Sequence, residues 1–236
     1  MAPPETRDHA PLTLVIANKN YSSWSLRAWL MVKHVGVPFE EVVVPLRMPE
    51  TRAAIMRYSP SGKTPCLVDG DITVWESLAI GEYLAERFPD AGLWPADTAA
   101  RALARAISNE MHGGFIPLRR AMPMNIRAHM PGWGMGPGVQ EEINRIEAIW
   151  RDTRTRFGAG GDMLFGHFTI ADAMFAPVAS RFRTYGVTLG ETATAYGDAL
   201  LAWPAMKEWI AAANSESWMI PDLEKDGVNG PTPPPV

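Results

Sequence analysis

The chain has 236 residues, of which 47% are hydrophobic and 20% are charged, and its formal net charge is -4 at pH 7. These proportions are typical of a globular protein that buries a sizeable core in one large domain or two smaller ones. Lysine and arginine are dispersed, which argues against a nucleic-acid surface, and no apolar run approaches the roughly 20 residues that cross a bilayer. We therefore expect a cytoplasmic protein that binds neither nucleic acid nor membrane.

The cysteine and histidine content narrows the possible chemistry. Cys66 is the single cysteine, so an internal disulfide, a CxxC redox pair and a cysteine-rich zinc site are excluded. The five scattered histidines show no HExxH or similar ligand spacing, and we expect no metal. Cys66 lies in a short apolar run, where a buried structural cysteine is the favoured interpretation. A catalytic role would therefore borrow its reactive group from a bound molecule.

The first 88 residues alternate between strand-like and helix-like segments. Residues 12–17 (LTLVIA) are apolar and β-branched, which predicts a buried strand. Residues 24–35 are rich in apolar side chains and stop at Gly36, which predicts a mostly buried helix. Further strands are predicted at 39–44, 65–68 and 72–74, with helices at 49–58 and 76–88. The order β-α-β-α-β-β-α predicts an α/β domain with one crossover connection and one hairpin.

The remainder of the chain is predicted to be helical. Residues 89–97 contain two prolines and a glycine and are interpreted as the linker between a first domain (12–88) and a second (98–222). The predicted helices cover 98–112, 140–157, 169–183 and 204–214, with a loop rich in glycine and proline at 130–138. We expect disorder at both ends, over residues 1–11 and 223–236.

A serine-rich segment, NYSSWSLR at residues 20–27, is the first candidate for chemistry. It lies where a strand gives way to a helix, and the free N–H groups and the dipole of a helix N-terminus favour an anion. A serine hydroxyl at that point can donate a hydrogen bond to a thiolate held beside it. Simple helix capping by the same serines is an equally compatible interpretation.

Two further segments carry groups suited to an amino-acid or peptide ligand. Pro65 opens a predicted strand, where a proline is unusual, and a cis bond after Thr64 would present the backbone of Thr64 to an extended peptide. Glu76 and Ser77 begin a helix, and together they could hold the amino group and the carboxylate of an α-amino acid. The alternative for Glu76 is an ordinary acidic residue that complements the helix dipole.

The fourth segment, FTIAD at residues 168–172, is interpreted as structural. Thr169 and Asp172 have the spacing of a capping box, in which two side chains satisfy the first N–H groups of a helix.

In this order, the four segments resemble the cytosolic glutathione S-transferase superfamily, over residues 12 to about 220. The resemblance implies a thioredoxin-like N-terminal domain, an all-helical C-terminal domain and, usually, a homodimer. It implies that glutathione is the co-substrate, that the Thr64–Pro65 bond is cis and that Thr64 pairs with the cysteinyl backbone. It also implies that Glu76 and Ser77 hold the γ-glutamyl end, and that FTIAD is the family's capping box.

Within the superfamily, SSWSLR is similar to the SSCSxR segment of the zeta class and to the serine-using classes. Matching the first serines assigns thiol activation to Ser22 and places Ser23 in the glutathione site. The rivals for the activating role are Tyr21 first, and then Ser23, Ser25 and Asn20. Trp24 replaces the zeta cysteine, and Thr184 occupies the place of a zeta arginine, with Arg181 and Arg183 nearby. Both departures argue against maleylacetoacetate isomerase activity and favour a bacterial-type transferase of unassigned class.

The expected function is thus detoxification-type transfer of glutathione to small hydrophobic electrophiles. The alternatives are glutathione-dependent isomerase, lyase or peroxidase chemistry, or a non-catalytic protein that binds glutathione. Several apolar side chains could shape the pocket for the second substrate, although simple core packing is the more common role of such residues: Met111, Phe115, Met122, Met124 and Trp133.

Overall fold

A computed structural model describes residues 11–224, and its N-terminal part is a four-stranded sheet with helices on both faces. The strand order is β2-β1-β3-β4; β1 pairs in parallel with β2 and antiparallel with β3, and β3 pairs antiparallel with β4. This arrangement confirms the predicted α/β domain. Its elements are β1 (Leu12–Ile16), α1 (Ser23–Val35), β2 (Phe39–Val43), α2 (Thr51–Met56), β3 (Cys66–Asp69), β4 (Ile72–Trp75) and α3 (Ser77–Arg87).

The alternation of side chains along β1 separates two buried clusters. Leu14 and Ile16 belong to the main core, whereas Val15 belongs to a small cluster on the opposite face of the sheet. Cys66 packs in that small cluster, fully buried beside Ile55 of α2, and burial raises the pKa of its thiol. This environment agrees with the structural role expected for Cys66, since the thiol form is favoured there.

The C-terminal part of the described chain is helical, as predicted. A short 3₁₀ helix at Pro89–Ala91 lies in the predicted linker. Two helices, α5 and α8, were not predicted from the sequence. The first spans only six residues and has a proline in its first turn, and the second contains three threonine and glycine residues that weaken its helical signal. The helices are α4 (Thr98–Gly113), α5 (Ile116–Ala121), α6 (Val139–Phe157), α7 (Ile170–Tyr185), α8 (Glu191–Ala202) and α9 (Pro204–Ser215).

Helix α7 lies at the centre of the helical part. All its residues except Arg183 are buried, and it packs against α1, α4 and α8. The expected capping box is present at its start: the Asp172 carboxylate accepts from the Thr169 backbone N–H (2.8 Å), and the Thr169 side chain receives the Asp172 N–H. Tyr196 and the Leu164 N–H also donate to Asp172, which satisfies this fully buried carboxylate.

The two parts share one continuous core, and Gly81 is one of the places where they meet. A Cβ atom at Gly81 of α3 would lie 2.8 Å from Met31 Sδ of α1 and 3.1 Å from Ile170 Cδ1 of α7. The three helices therefore meet at a point that has no room for a methyl group.

The structure tests the predicted disorder at the chain ends only in part. Residues 1–10 and 225–236, which fall within the predicted disordered ends, lie outside the described residues. The predicted tail began at residue 223, yet Leu223 belongs to a 3₁₀ helix (Pro221–Leu223) and Glu224 contacts Tyr21. The predicted loop at 130–138 is non-helical. Within residues 11–224, no helix has both the length and the apolar character required to cross a membrane.

Replacement of Gly81 by valine should lower the free energy of unfolding by about 1–3 kcal/mol, because the side chain must displace Met31 and Ile170. Chemical denaturation measures the effect. Gly113→Val is the matched control, since nothing lies within 4 Å of a Cβ atom there. Equal effects at the two positions would show that valine itself, rather than the close approach, lowers stability.

Candidate functional site

A cleft of about 280 Å³ opens between the start of β3 and the starts of α1 and α3. Three of the residues singled out in the sequence, Thr64, Pro65 and Glu76, meet in this cleft although they come from separate segments. The cleft also includes Ser61 and Lys63, which the sequence interpretation did not select; both lie in the loop before Thr64. The complete lining is Trp24, Ser61, Lys63, Thr64, Pro65 and Glu76.

The backbone at two of these positions is unusual. The Thr64–Pro65 bond is cis, as the resemblance implied. Glu76, the residue before α3, has φ 69°, a left-handed conformation that is uncommon for a side chain other than glycine. Its carboxylate remains half-exposed, and Oε2 lies 3.7 Å from Nε2 of His112 on α4. An acidic group therefore stands at the border between the two domains.

Ser77, the first residue of α3, is fully buried, and its hydroxyl has no hydrogen-bond partner among the described residues. A buried hydroxyl without a partner is costly, and such a group is often satisfied by a ligand or a water. Ser77 follows Glu76 directly at a helix N-terminus, where the N–H groups and the dipole favour an anion. The pair can thus receive a carboxylate and an ammonium group side by side.

Ser22 is the N-cap of α1, and in this structure its hydroxyl is directed toward the helix. Its Oγ accepts from the Ser25 N–H (3.3 Å) and donates to Ser25 Oγ (2.8 Å), while Ser25 Oγ accepts from the Ala17 N–H (2.9 Å). Ser22 and Ser23 are each 7% exposed, and neither belongs to the cleft lining, although Trp24 does. To donate to a ligand in the cleft, the Ser22 hydroxyl would have to turn away from Ser25.

Tyr21, the first rival of Ser22, is engaged elsewhere. Its hydroxyl donates to the Glu224 carboxylate and accepts from Arg127 Nη2 (2.9 Å) and from the Ile220 N–H (3.3 Å). Burial, and then the hydrogen bond to Glu224, raise the pKa of Tyr21 above its ordinary value. The phenol therefore stays protonated at neutral pH and contributes to a contact with the C-terminal segment.

The weaker rivals also have structural partners. Asn20 is buried; its amide nitrogen donates to Asn125 Oδ1 (2.8 Å), and its amide oxygen accepts from the Arg127 N–H (3.0 Å). Ser25 is fully buried in the cap of α1. These contacts fix the loop before α1.

A cluster of positive charge lies behind Trp24. The Arg27 guanidinium is fully buried; Nε donates to the Met174 carbonyl (3.1 Å), and both terminal nitrogens lack a partner among the described residues. Its Cζ lies 4.5 Å from the centroid of the Trp24 ring, and Arg119 Cζ lies 5.1 Å from that centroid. Burial, together with Arg119 and Arg181, holds the pKa of Arg27 well below its ordinary value. Two guanidinium groups therefore lie against the ring of the cleft residue Trp24.

The apolar candidates for a second-substrate pocket are core residues. All five are buried in the main core, and none lines the cleft: Met111, Phe115, Met122, Met124 and Trp133. In this structure these residues therefore have the role of core packing, which was the more common of the two interpretations. Within residues 11–224, no group of three or more histidine, cysteine, aspartate or glutamate side chains is arranged to hold a metal ion.

Comparison with known proteins identifies the two halves separately. The family model described as the glutathione S-transferase N-terminal domain matches residues 21–87, and the C-terminal domain model matches residues 137–212. A probable maleylacetoacetate isomerase of Caenorhabditis elegans is 33% identical over 168 residues, covering 68% of this chain and 75% of that protein. Glutathione S-transferase 1 of Dianthus caryophyllus is 36% identical over 177 residues, covering 72% of this chain and 76% of that protein.

The fold is shared with solved structures at lower identity. A glutathione transferase homologue from Burkholderia, crystallised with bound glutathione, has a TM-score of 0.66 and 24% sequence identity. The match covers 88% of this chain and 100% of that one. At this identity the likeness shows the fold alone.

Replacement of Ser77 by alanine should leave the free energy of unfolding of the ligand-free protein unchanged or raise it by up to about 1 kcal/mol, because the lost hydroxyl has no partner within residues 11–224. Chemical denaturation tests this. Ser59→Ala is the control: the Ser59 hydroxyl is also buried but is bonded to Ser61 Oγ (2.8 Å), and its loss should cost about 0.5–1.5 kcal/mol. A Ser77 variant destabilised as much as the control would contradict this picture.

Proposed function

This chain belongs to the cytosolic glutathione S-transferase superfamily, and on that premise we propose that it binds glutathione and activates its thiol for attack on small hydrophobic electrophiles. The observation that carries the proposal is the convergence of Thr64, Pro65 and Glu76 in one cleft, followed in the chain by Ser77, whose buried hydroxyl has no partner in the described part of the chain. The cleft lies beside the N-terminus of α1, where a thiolate would gain from the helix dipole.

Each part of glutathione has a matching group in the proposed site. The backbone of Thr64 pairs with the cysteinyl unit, Glu76 receives the α-ammonium group, and Ser77 donates to the γ-glutamyl carboxylate. Lys63 lines the same cleft and is exposed, so its ammonium group can pair with the second carboxylate of the tripeptide. Binding would also separate Glu76 from His112, since the ammonium group competes for the same carboxylate.

Activation of the thiol needs only a modest electrostatic contribution. A free thiol has a pKa of about 8.5, and lowering it by about two units corresponds to roughly 2.7 kcal/mol of differential stabilisation. One hydrogen bond to a charged group contributes roughly 1.5–3 kcal/mol, and a helix terminus adds roughly 0.3–1 kcal/mol. The Ser22 hydroxyl, turned from Ser25 toward the sulfur, and the first turn of α1 are together sufficient.

The proposed reaction is a nucleophilic displacement or addition. The thiol proton leaves to solvent, and the thiolate sulfur forms a bond to the electrophilic carbon. In a displacement the leaving group departs with the electron pair of its own bond; in an addition the electron pair of the opened double bond takes up a proton from solvent. Ser22 holds the ionised sulfur and does not itself ionise, so its role is electrostatic stabilisation rather than base catalysis.

A glutathione-dependent isomerase is the second candidate. It is favoured by relatives named maleylacetoacetate isomerase, among them the Caenorhabditis elegans protein. Against it stand Trp24 in place of the zeta cysteine, and Thr184, whose hydroxyl donates to the Asn125 carbonyl (3.0 Å), in place of the zeta arginine. The two reactions differ in stoichiometry, because transfer consumes one glutathione per turnover whereas isomerisation regenerates it.

A non-catalytic role in binding is distinguished by ligand preference. A transferase with an apolar second pocket should be stabilised against heat more by S-hexylglutathione than by glutathione. A binding module without that pocket should show no preference for the alkylated ligand.

We also propose that the protein is a cytoplasmic homodimer, as the family resemblance implies. Sedimentation velocity should then give a species of about twice the 25.9 kDa chain mass at micromolar concentration. A monomer at every accessible concentration would refute the dimer without affecting the proposed site.

Replacement of Ser22 by alanine should lower turnover about 10- to 1,000-fold while glutathione binding largely survives, because only the contact with the thiolate is lost. The measurement is the absorbance of bound thiolate across pH: the thiol pKa should be well below its free value in the wild type and return toward it in the variant. Ser77→Ala should instead weaken glutathione binding about tenfold and leave the thiol pKa of bound glutathione low.

Ser22→Gly separates activation from helix capping. Glycine retains most of the capping preference, at a cost of a few tenths of a kcal/mol, but has no hydroxyl. If Ser22 activates the thiol, Ser22→Ala and Ser22→Gly should lose turnover to the same extent. Full turnover in Ser22→Ala would show that Ser22 is the wrong residue, and recovery in Ser22→Gly alone would assign its role to capping.

A further inference from the structure

The segment after α9 returns to the N-terminal domain and contacts the loop between β1 and α1. The two carboxylate oxygens of Glu216 accept from the backbone N–H groups of Lys19 (2.6 Å) and Asn20 (2.9 Å). The Lys19 carbonyl accepts from Trp209 Nε1 of α9 (3.0 Å). The polar backbone groups of Lys19 are thus held by side chains nearly 200 residues later in the chain.

A second set of contacts holds the same loop through Arg127. Its Nη1 donates to the Glu216 carbonyl (2.6 Å), and its Nη2 donates to the Trp218 carbonyl (3.1 Å) and to the Tyr21 hydroxyl (2.9 Å). Tyr21 donates in turn to Glu224. Arg127 therefore joins the C-terminal segment and the loop in one network.

These contacts surround the residue proposed to activate the thiol. Asn20 and Tyr21 precede Ser22 directly, and Ser22 is the N-cap of α1. The Lys19 and Asn20 N–H groups precede the helix and take no part in its hydrogen bonding, so without Glu216 they would lose their hydrogen-bond acceptor. A displacement of about 1 Å at a reacting group can cost on the order of 100-fold in rate.

We infer that Glu216 is a positioning residue, which fixes the β1–α1 loop at the place from which the Ser22 hydroxyl, once turned away from Ser25, meets the sulfur of glutathione. This inference rests on the proposed function of Ser22. The network of Tyr21, Arg127 and Glu224 supports Glu216 from the other side of the loop. Among the described residues, Glu216 does not line the cleft, and its hydrogen bonds go to Lys19, Asn20 and Arg127 rather than to the residues proposed to hold the glutathione peptide.

The inference predicts a division between binding and turnover. Thr64, Glu76 and Ser77 belong to segments that Glu216 does not contact, so glutathione affinity in Glu216→Ala should stay within about twofold of wild type. The turnover number should fall by on the order of tenfold, and the thiol pKa of bound glutathione should move toward its free value. Glu216→Gln retains one acceptor oxygen, so its turnover number and the thiol pKa of its bound glutathione should lie between those of the wild type and of Glu216→Ala.

The matched control is Glu208→Ala. Glu208, on α9, forms an exposed ion pair with Lys33 of α1 (2.8 Å), so it joins the same two domains without touching the loop. This variant should retain wild-type turnover and thiol pKa. A loss equal to that of Glu216→Ala would show that general contact between α9 and α1, rather than the loop, is responsible.

Hydrogen exchange of the Lys19 and Asn20 amides, measured without glutathione, makes the test independent of the proposed function. Faster exchange in Glu216→Ala together with a raised thiol pKa supports the inference. Unchanged exchange, or faster exchange with an unchanged thiol pKa, overturns it. Failure of the proposed function is recognised separately, since the wild-type protein would then not lower the thiol pKa at all.

Discussion

The burial of α1 between the sheet and α7 is the constraint on which the rest of the structure depends. Its residues pack on β1 through one face and on α7 through another, and its Arg27 side chain donates to the Met174 carbonyl within α7. One core therefore runs through both domains. The N-terminus of α1, where Ser22 lies, is positioned by this packing rather than by local propensity.

Several polar groups in this core remain without partners in the described chain. The Ser77 hydroxyl and the terminal nitrogens of Arg27 are buried without hydrogen bonds, although such groups are usually satisfied in native proteins. Ser77 lies next to the cleft residue Glu76, and Arg27 lies behind Trp24. For Ser77, the stability lost is the expected cost of the proposed glutathione site, which is formed before its ligand arrives.

The sequence predicted the architecture well and the orientation of side chains poorly. Strands and long helices follow from periodicity, and a shared ligand for Thr64 and Glu76 was implied by the family resemblance rather than by any local pattern. The inward direction of the Ser22 hydroxyl could not be foreseen, because a capping serine and an activating serine have the same local sequence. The bond between Tyr21 and Glu224 links residues 203 positions apart, and no local pattern encodes a contact at that distance.

The absence of space at Gly81 has a thermodynamic consequence for ligand binding. Since α3 packs closely against Ile170 of α7 at Gly81, a movement of the helical domain away from α3 at this point would expose apolar surface to water. The residues that line the cleft all belong to the N-terminal domain, so the affinity of a ligand that enters it reflects its contacts with that domain and desolvation. The heat-capacity change of binding should accordingly correspond to the surface of the ligand and its cleft, with no added contribution from an ordering interface.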